Sequence, residues 1–146
     1  EAVGLFAPNG IPWIVARLGV LLDETAPGAS LDAAVAALRA GRVLIWFPEE
    51  YRAPDGQLQP FKPGIGQILC QTGAPVVPRG IAGTFRAMMP RGARWPRPAQ
   101  CRVRFGAPIP FERLAPDGAA TPPTTIAEAL RSEVARLAEA DDKPAI

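Results

Sequence analysis

The chain has 146 residues, a common size for one domain, and can bury a core without disulfide or metal staples. Hydrophobic residues make up 48% and charged residues 21%, close to the globular average, which argues against a disordered chain. The formal net charge is +2 and there is no histidine, so Ser-His, Cys-His and His-metal schemes lie outside what this chain does alone.

The pattern predicts alternating helices and strands. Ile11 to Leu18 reads as a short apolar helix opened by Pro12, and Gly19 breaks it. Val20-Leu21-Leu22 follows as a short buried strand ending at Asp23. Ser30 is the expected N-cap of a helix from Leu31 to Ala40, with Leu31, Val35 and Leu38 on one face and Gly41 as its stop. Val43-Leu44-Ile45-Trp46-Phe47 is a continuous apolar run, the pattern of a central parallel strand covered on both faces, and Pro48 ends it.

A second helix is predicted over about Gly64 to Thr72, stopped by Gly73. Val76-Val77 then resumes an extended run toward Ile81. Cys101 to Phe105 alternates arginine with apolar residues, as an edge or half-exposed strand does. In the last helix Thr125 and Glu128 form a predicted capping box, and Ile126, Leu130, Val134 and Leu137 share one face. Its expected role is packing on the sheet. Residues 111–146 thus read as a proline-rich loop plus a terminal amphipathic helix, within a single domain spanning 1–146. Strand–helix repetition with short connections implies an α/β fold.

Eighteen prolines, scattered between apolar runs, predict many stiff loops. Cys70 and Cys101 form no C-x-x-C pair and read as buried free thiols in a reducing compartment. No basic region precedes an apolar core at the start, and no apolar run reaches the ~20 residues of a membrane span. A start without methionine, directly in apolar sequence, points to a chain cut from something longer.

Charge is unevenly placed. Between Gly56 and Phe111 stand Lys62, Arg79, Arg86, Arg91, Arg94, Arg97, Arg102 and Arg104, with no Asp or Glu. This stretch reads either as a solvated arginine-rich loop or as a surface that meets an anion. The segment Thr84 to Trp95 mixes Phe85, Met88, Met89 and Trp95 with Arg86, Arg91 and Arg94. It fits the headgroup zone of an anionic bilayer, the wall of an acyl tunnel, or a loop packed on the core. No nucleic-acid fold signature or stacking platform accompanies the arginines, so nucleic acid is not an expected partner.

Ligands of open α/β sheets gather beyond the carboxyl ends of strands. The run Val43–Phe47 delivers its end into Pro48-Glu49-Glu50-Tyr51-Arg52, then the turn Ala53-Pro54-Asp55-Gly56, then Phe61-Lys62-Pro63-Gly64 at the next helix start. Glu49 is placed to orient Arg52, and Arg52 and Lys62 to hold a phosphate, aided by free N–H groups near Gly64. A solvated Glu–Arg pair in a loop is the competing reading. Gly64-Ile65-Gly66 lacks the third glycine of a dinucleotide fingerprint, and Ser30 and Ser132 lie in no G-x-S-x-G elbow. No metal-ligating cluster is present.

These motifs, together with Gly73-Ala74-Pro75-Val76-Val77-Pro78 and Arg102-Val103-Arg104-Phe105-Gly106-Ala107-Pro108-Ile109, resemble the glycerophospholipid acyltransferase family. They are most like the 1-acylglycerol-3-phosphate acyltransferases, whose third motif reads F-P-E-G-T-R-S. The likeness runs from about Leu5 to Pro110. It implies a mixed, mostly parallel sheet flanked by helices, truncated at its N-terminus.

The resemblance also implies an activity: transfer of an acyl chain from acyl-CoA or acyl-carrier protein to a glycerophosphate hydroxyl, with no cofactor beyond that donor. Acceptor phosphate binding falls to Glu49, Arg52, Lys62 and Gly64, and the acyl path to Val77 and Pro78. The family's catalytic histidine and aspartate, in an H-x-x-x-x-D motif, have no match and are expected before Glu1. The chain alone is therefore expected to be inactive, as a C-terminal portion of the domain or, alternatively, as a non-catalytic lipid-binding module. The expected location is peripheral, on the cytoplasmic side of an anionic membrane, with a lysophospholipid as acceptor. Three positions depart from the pattern: Glu50 stands for glycine, Tyr51 for a small hydroxyl residue, and Asp23-Glu24 for aspartate–arginine. An anion in place of a phosphate-facing cation allows a different lysophospholipid acceptor.

Overall fold

A computed structural model describes residues 27–87 and 97–139, and divides the chain into two compact units at Trp46/Phe47. The helix expected over 11–18 and the strand expected at Val20–Leu22 lie outside the described residues. So do Asp23, Glu24, Met88, Met89, Arg91, Arg94 and Trp95.

In the first unit, helix α1 spans Pro27–Arg39. It begins before Ser30, which lies inside the helix and not at its N-cap, because a proline with its fixed φ already fits a first turn. Its end is the one expected. Gly41 adopts a φ of 72°, its N–H bonds to Leu38 O, and Arg42 N–H reaches back to Ala37 O. That pair of bonds is a Schellman closure, which favours glycine because the left-handed residue carries no Cβ. Ala34 and Val35 are its buried residues.

The run Val43–Phe47 is not paired into a sheet among the described residues. Val43, Ile45 and Phe47 are 91%, 64% and 62% exposed, whereas Leu44 and Trp46 are half-buried. Among the described residues the expected strand covered on both faces is therefore not seen, and the run is extended with Leu44 and Trp46 partly covered. A continuous apolar sequence states that both faces tolerate burial, but it cannot supply the layer that buries them.

In the second unit, helix α2 spans Gly64–Thr72, closed by Gly73 at φ 62° with its N–H on Leu69 O. Strand β1, Arg79–Ala82, pairs antiparallel with β2, Arg102–Phe105, in the register Arg79↔Phe105 and Ile81↔Val103. A bridge between Val76 and Ile109 prolongs the ribbon. Between the strands lies the four-residue helix α3, Thr84–Ala87. Helix α4, Phe111–Leu114, and a 3-10 turn, Gly118–Ala120, lead to the long helix α5, Pro123–Glu139. The described sheet is therefore two-stranded and antiparallel, and the expected mostly parallel arrangement is not seen among the described residues. Mixed helix and sheet is what the structure shows.

Helix α5 also starts earlier than the capping box predicts. Pro122 and Pro123 preset the backbone, Thr125 N–H bonds to Pro122 O, and Thr125 becomes an internal residue. The predicted apolar face is kept: Ile126 and Leu130 are buried, and Val134 and Leu137 half-buried. The core joins Ile65, Ile68 and Leu69 of α2 to Ile126, Ala127 and Leu130 of α5, with Ile109, Leu114 and Ala115 also buried. Of the two cysteines, Cys70 is half-buried with its thiol 3.8 Å from Thr121 O, while Cys101 is exposed, contrary to the expectation of two buried thiols.

Gly66 sets how near the two helices come. A Cβ there would lie 2.1 Å from the carbonyl oxygen of Pro123, so α2 meets the first turn of α5 backbone to backbone. Gly66→Ala should therefore force the helices apart and cost about 3 kcal/mol. Chemical denaturation checks this, and an unchanged midpoint would contradict it.

Candidate functional site

The segment from Phe47 to Gly64 closes on itself. Lys62 N–H bonds to Pro48 O at 2.8 Å, which joins the end of the segment to its beginning and sets α2 directly after the closure. Inside it, Asp55 Oδ1 accepts from Gln57 N–H at 2.9 Å and from the Gln59 side-chain amide at 3.0 Å. This is an Asx-type turn, with Gly56 at φ 80°. Phe85 of α3 rests against Gly56, where a Cβ would meet its ring at 2.9 Å. Of the three readings of Thr84 to Trp95, this contact accords, for Phe85, with a loop packed on the rest of the unit.

Glu49 is half-buried, and its Oε2 accepts from Gln59 N–H at 2.7 Å. The expected pairing of Glu49 with Arg52 is absent among the described residues. A carboxylate near the chain's own turn finds a backbone donor at lower entropic cost than a long guanidinium arm. Arg52 and Lys62 are both exposed, with no ion pair to another described residue. Gly64 begins α2 behind Pro63, whose backbone is helical (φ −67°, ψ −12°) and offers no side-chain cap. The first-turn N–H groups of α2 are therefore not taken by a capping side chain.

Glu50 is the one described non-glycine residue at positive φ, 64°. Tyr51 N–H bonds to Glu49 O at 2.8 Å across it, a three-residue turn centred on Glu50, and Glu50 N–H bonds to Phe47 O. Such a γ-turn with positive φ is rare and strained. Strain of this kind gathers where a loop must present a side chain in one direction.

The ribbon has two unlike faces. Gly80 lies against Leu137 and Ala138 of α5, so the helix covers that side. On the other side Ile81, Val103 and Phe105 are exposed, with Phe105 66% so. Val77 is exposed while Pro78 is buried near Gly106, so the two residues assigned to the acyl path differ in access. Arg79 adds a cation to the apolar side, its guanidinium 5.1 Å from the Phe47 ring centre. Sequence reasoning missed this pair, which links positions far apart in the chain and has no local signal. Among the described residues no three His, Cys, Asp or Glu side chains group as metal ligands. No described helix is long and apolar enough to cross a membrane.

A strained turn, a carboxylate-tied loop and an apolar run ahead of it occupy the region matched by the profile of the Acyltransferase family, residues 13–82. Over 94 residues the chain is 35% identical to the chloroplastic 1-acyl-sn-glycerol-3-phosphate acyltransferase BAT2 of Brassica napus, covering 62% of this chain and 27% of that protein. Over 107 residues it is 30% identical to 1-acyl-sn-glycerol-3-phosphate acyltransferase alpha of Homo sapiens, covering 72% of this chain and 38% of that protein. The crystal structure of the 1-acyl-sn-glycerophosphate acyltransferase PlsC from Thermotoga maritima superposes with a TM-score of 0.66 at 28% identity, over 78% of this chain and 46% of that one.

The chain belongs to the glycerophospholipid acyltransferase family, among its 1-acylglycerol-3-phosphate acyltransferase-like members. It spans roughly a quarter to two fifths of the length of these curated relatives. The family's third motif has glycine where this chain has Glu50, and the backbone there keeps the conformation that glycine adopts freely. Glu50→Gly should relieve about 1–2 kcal/mol of left-handed strain and give back about 0.5–1 kcal/mol of glycine's chain entropy. The expected net gain is between zero and about 1.5 kcal/mol by thermal or chemical unfolding. A lower midpoint would show that the turn is not strained.

Proposed function

We propose that this chain carries the acceptor-binding part of an acyltransferase of phospholipid biosynthesis. The enzyme would move a fatty acyl group from acyl-CoA or acyl-carrier protein to the hydroxyl of a lysophosphatidic acid-like acceptor. The observation that carries this reading is the loop closed by Lys62 N–H on Pro48 O, with Arg52 and Lys62 exposed on it and an uncapped helix start at Gly64. Forked guanidinium donors, an ammonium and helix N–H groups are the donors a phosphate monoester takes. Glu49 acts at one remove, by tying the loop.

In the transfer itself the acceptor hydroxyl oxygen attacks the thioester carbonyl, the C–S bond breaks, and the hydroxyl proton passes by way of a base to the leaving thiolate. The base is not in this chain, which has no histidine, and acceptor binding without turnover is its expected share. The exposed side of the ribbon, with Val77, Ile81, Val103 and Phe105, suits a hydrocarbon chain, with Pro78 lending rigidity beneath it. The reading includes a mixed, mostly parallel sheet larger than the described ribbon, and no cofactor beyond the acyl donor. It also includes peripheral contact with an anionic membrane on its cytoplasmic side, for which the arginine-rich stretch supplies the charge.

A non-catalytic phospholipid-binding module would use the same loop, and the histidine-free composition favours it for the chain taken alone. Restoring a histidine-bearing upstream segment from a relative separates the two: oleoyl transfer to lysophosphatidic acid supports the enzyme, and binding without transfer supports the module. In either case Arg52→Ala should weaken binding to phosphatidylcholine vesicles doped with lysophosphatidic acid by about tenfold, as loss of a charged hydrogen bond does. Binding equal to wild type would remove Arg52 from the phosphate site.

A further inference from the structure

The terminal helix does more than pack. Arg131 of α5 donates from Nε to Gln59 O and from Nη2 to Leu58 O, both at 3.2 Å, although the partners are more than seventy positions away in the chain. The peptide group between Leu58 and Gln59 has two ends. Its carbonyl oxygen accepts from the Arg131 guanidinium, and its N–H donates to Glu49 Oε2 at 2.7 Å. A cation and an anion thus meet through a single peptide unit, each polarising it in the sense that strengthens the other's bond. Glu128 stands 3.6 Å from Arg131 Nη1 on the same helix and steadies the guanidinium from its remaining side.

From Glu49 the constraint passes directly into the strained turn. Tyr51 N–H is bonded to Glu49 O, and Arg52 follows Tyr51. The Arg131 side chain is 33% exposed, so most of it is shielded from the water that would loosen an exposed pair. The profile match ends at residue 82, well before α5, so nothing in the matched region accounts for Arg131.

We propose that Arg131 is a positioning residue of the acceptor site: it holds the 58–59 peptide, through it Glu49, and so the direction in which the loop offers Arg52 to a phosphate monoester. The proposal rests on the reading of Arg52 as the phosphate ligand. The link from Arg131 to the 49–52 backbone is measurable without any ligand.

The test uses the whole chain and the variants Arg131→Met and Arg131→Lys, followed by amide NMR and by binding to phosphatidylcholine vesicles with and without lysophosphatidic acid. In Arg131→Met, exchange of the Gln59 amide should quicken by about tenfold or more. The amide shifts of Glu49, Glu50, Tyr51 and Arg52 should move, and lysophosphatidic acid-dependent binding should fall several-fold. Protection of Ile68 and Ile126 should stay as in wild type, which separates loop release from unfolding. Arg131→Lys keeps the charge and the stem but serves one carbonyl, and should recover part of both effects; it also decides the matter if Arg131→Met does not fold. Unmoved 49–52 amides overturn the proposal, as does wild-type binding in a variant whose Gln59 amide exchanges fast. If wild type itself does not distinguish lysophosphatidic acid vesicles, the phosphate reading falls, while moved or unmoved 49–52 amides still decide the link from Arg131.

Discussion

Two helices approach to backbone contact only where one of them lacks a side chain, and Gly66 meets that condition against the carbonyl of Pro123. Much of the second unit follows from this approach. It brings Ile65, Ile68 and Leu69 onto Ile126 and Leu130, and burial of such side chains stabilises a fold by about 1.5–3 kcal/mol each. The same contact fixes where α2 begins, and hence where its uncapped N–H groups stand relative to the loop that precedes them. Two turns further along α5, it sets the place from which Arg131 reaches the Leu58 and Gln59 carbonyls.

Polar groups do most of the holding within the loop, with Phe85 resting on Gly56. Pro48 O, Glu49, Asp55 and the backbone of Leu58 and Gln59 are all engaged within it or with α5. Its two exposed cations are left to solvent or ligand. On the proposed reading of the loop as an acceptor site, this division of labour gives an acidic residue a place in it: Glu49 binds a backbone N–H, where it stiffens the loop without cancelling Arg52. Glu50 is different. Its carboxylate is exposed, and its backbone takes a conformation that costs an L-residue energy and that glycine would adopt at lower cost.

In the proposed function the ribbon β1–β2 takes the hydrocarbon part of the substrate. Helix α5 occupies the side where Gly80 leaves room, and the opposite side keeps Ile81, Val103 and Phe105 in the open beside Arg79 and Phe47. An apolar strip beside a guanidinium is what the proposed single-chain phospholipid acceptor asks for, with hydrocarbon at one end and an anion at the other. Arg102 and Arg104 alternate with these residues and so fall on the other side of the strand, which the period-two pattern requires.

Local rules in the sequence were enough for α2 and its stop at Gly73, the closure of α1 at Gly41, the Asp55-Gly56 turn, the alternating strand at Arg102–Phe105 and the apolar face of α5. Each depends on neighbours within a turn or on a period of two or 3.6. The order of motifs from Phe47 to Pro78 likewise carried the family. Helix starts were less legible, because at Pro27 and Pro123 the ring's fixed φ competes with the Ser30 and Thr125 caps, and the prolines prevail. The partner of Glu49, the reach of Arg131 and the stacking of Arg79 on Phe47 were decided by tertiary structure alone. A carboxylate or guanidinium bonds whichever group the fold sets within about 3 Å, and that distance across seventy residues is written in no local pattern.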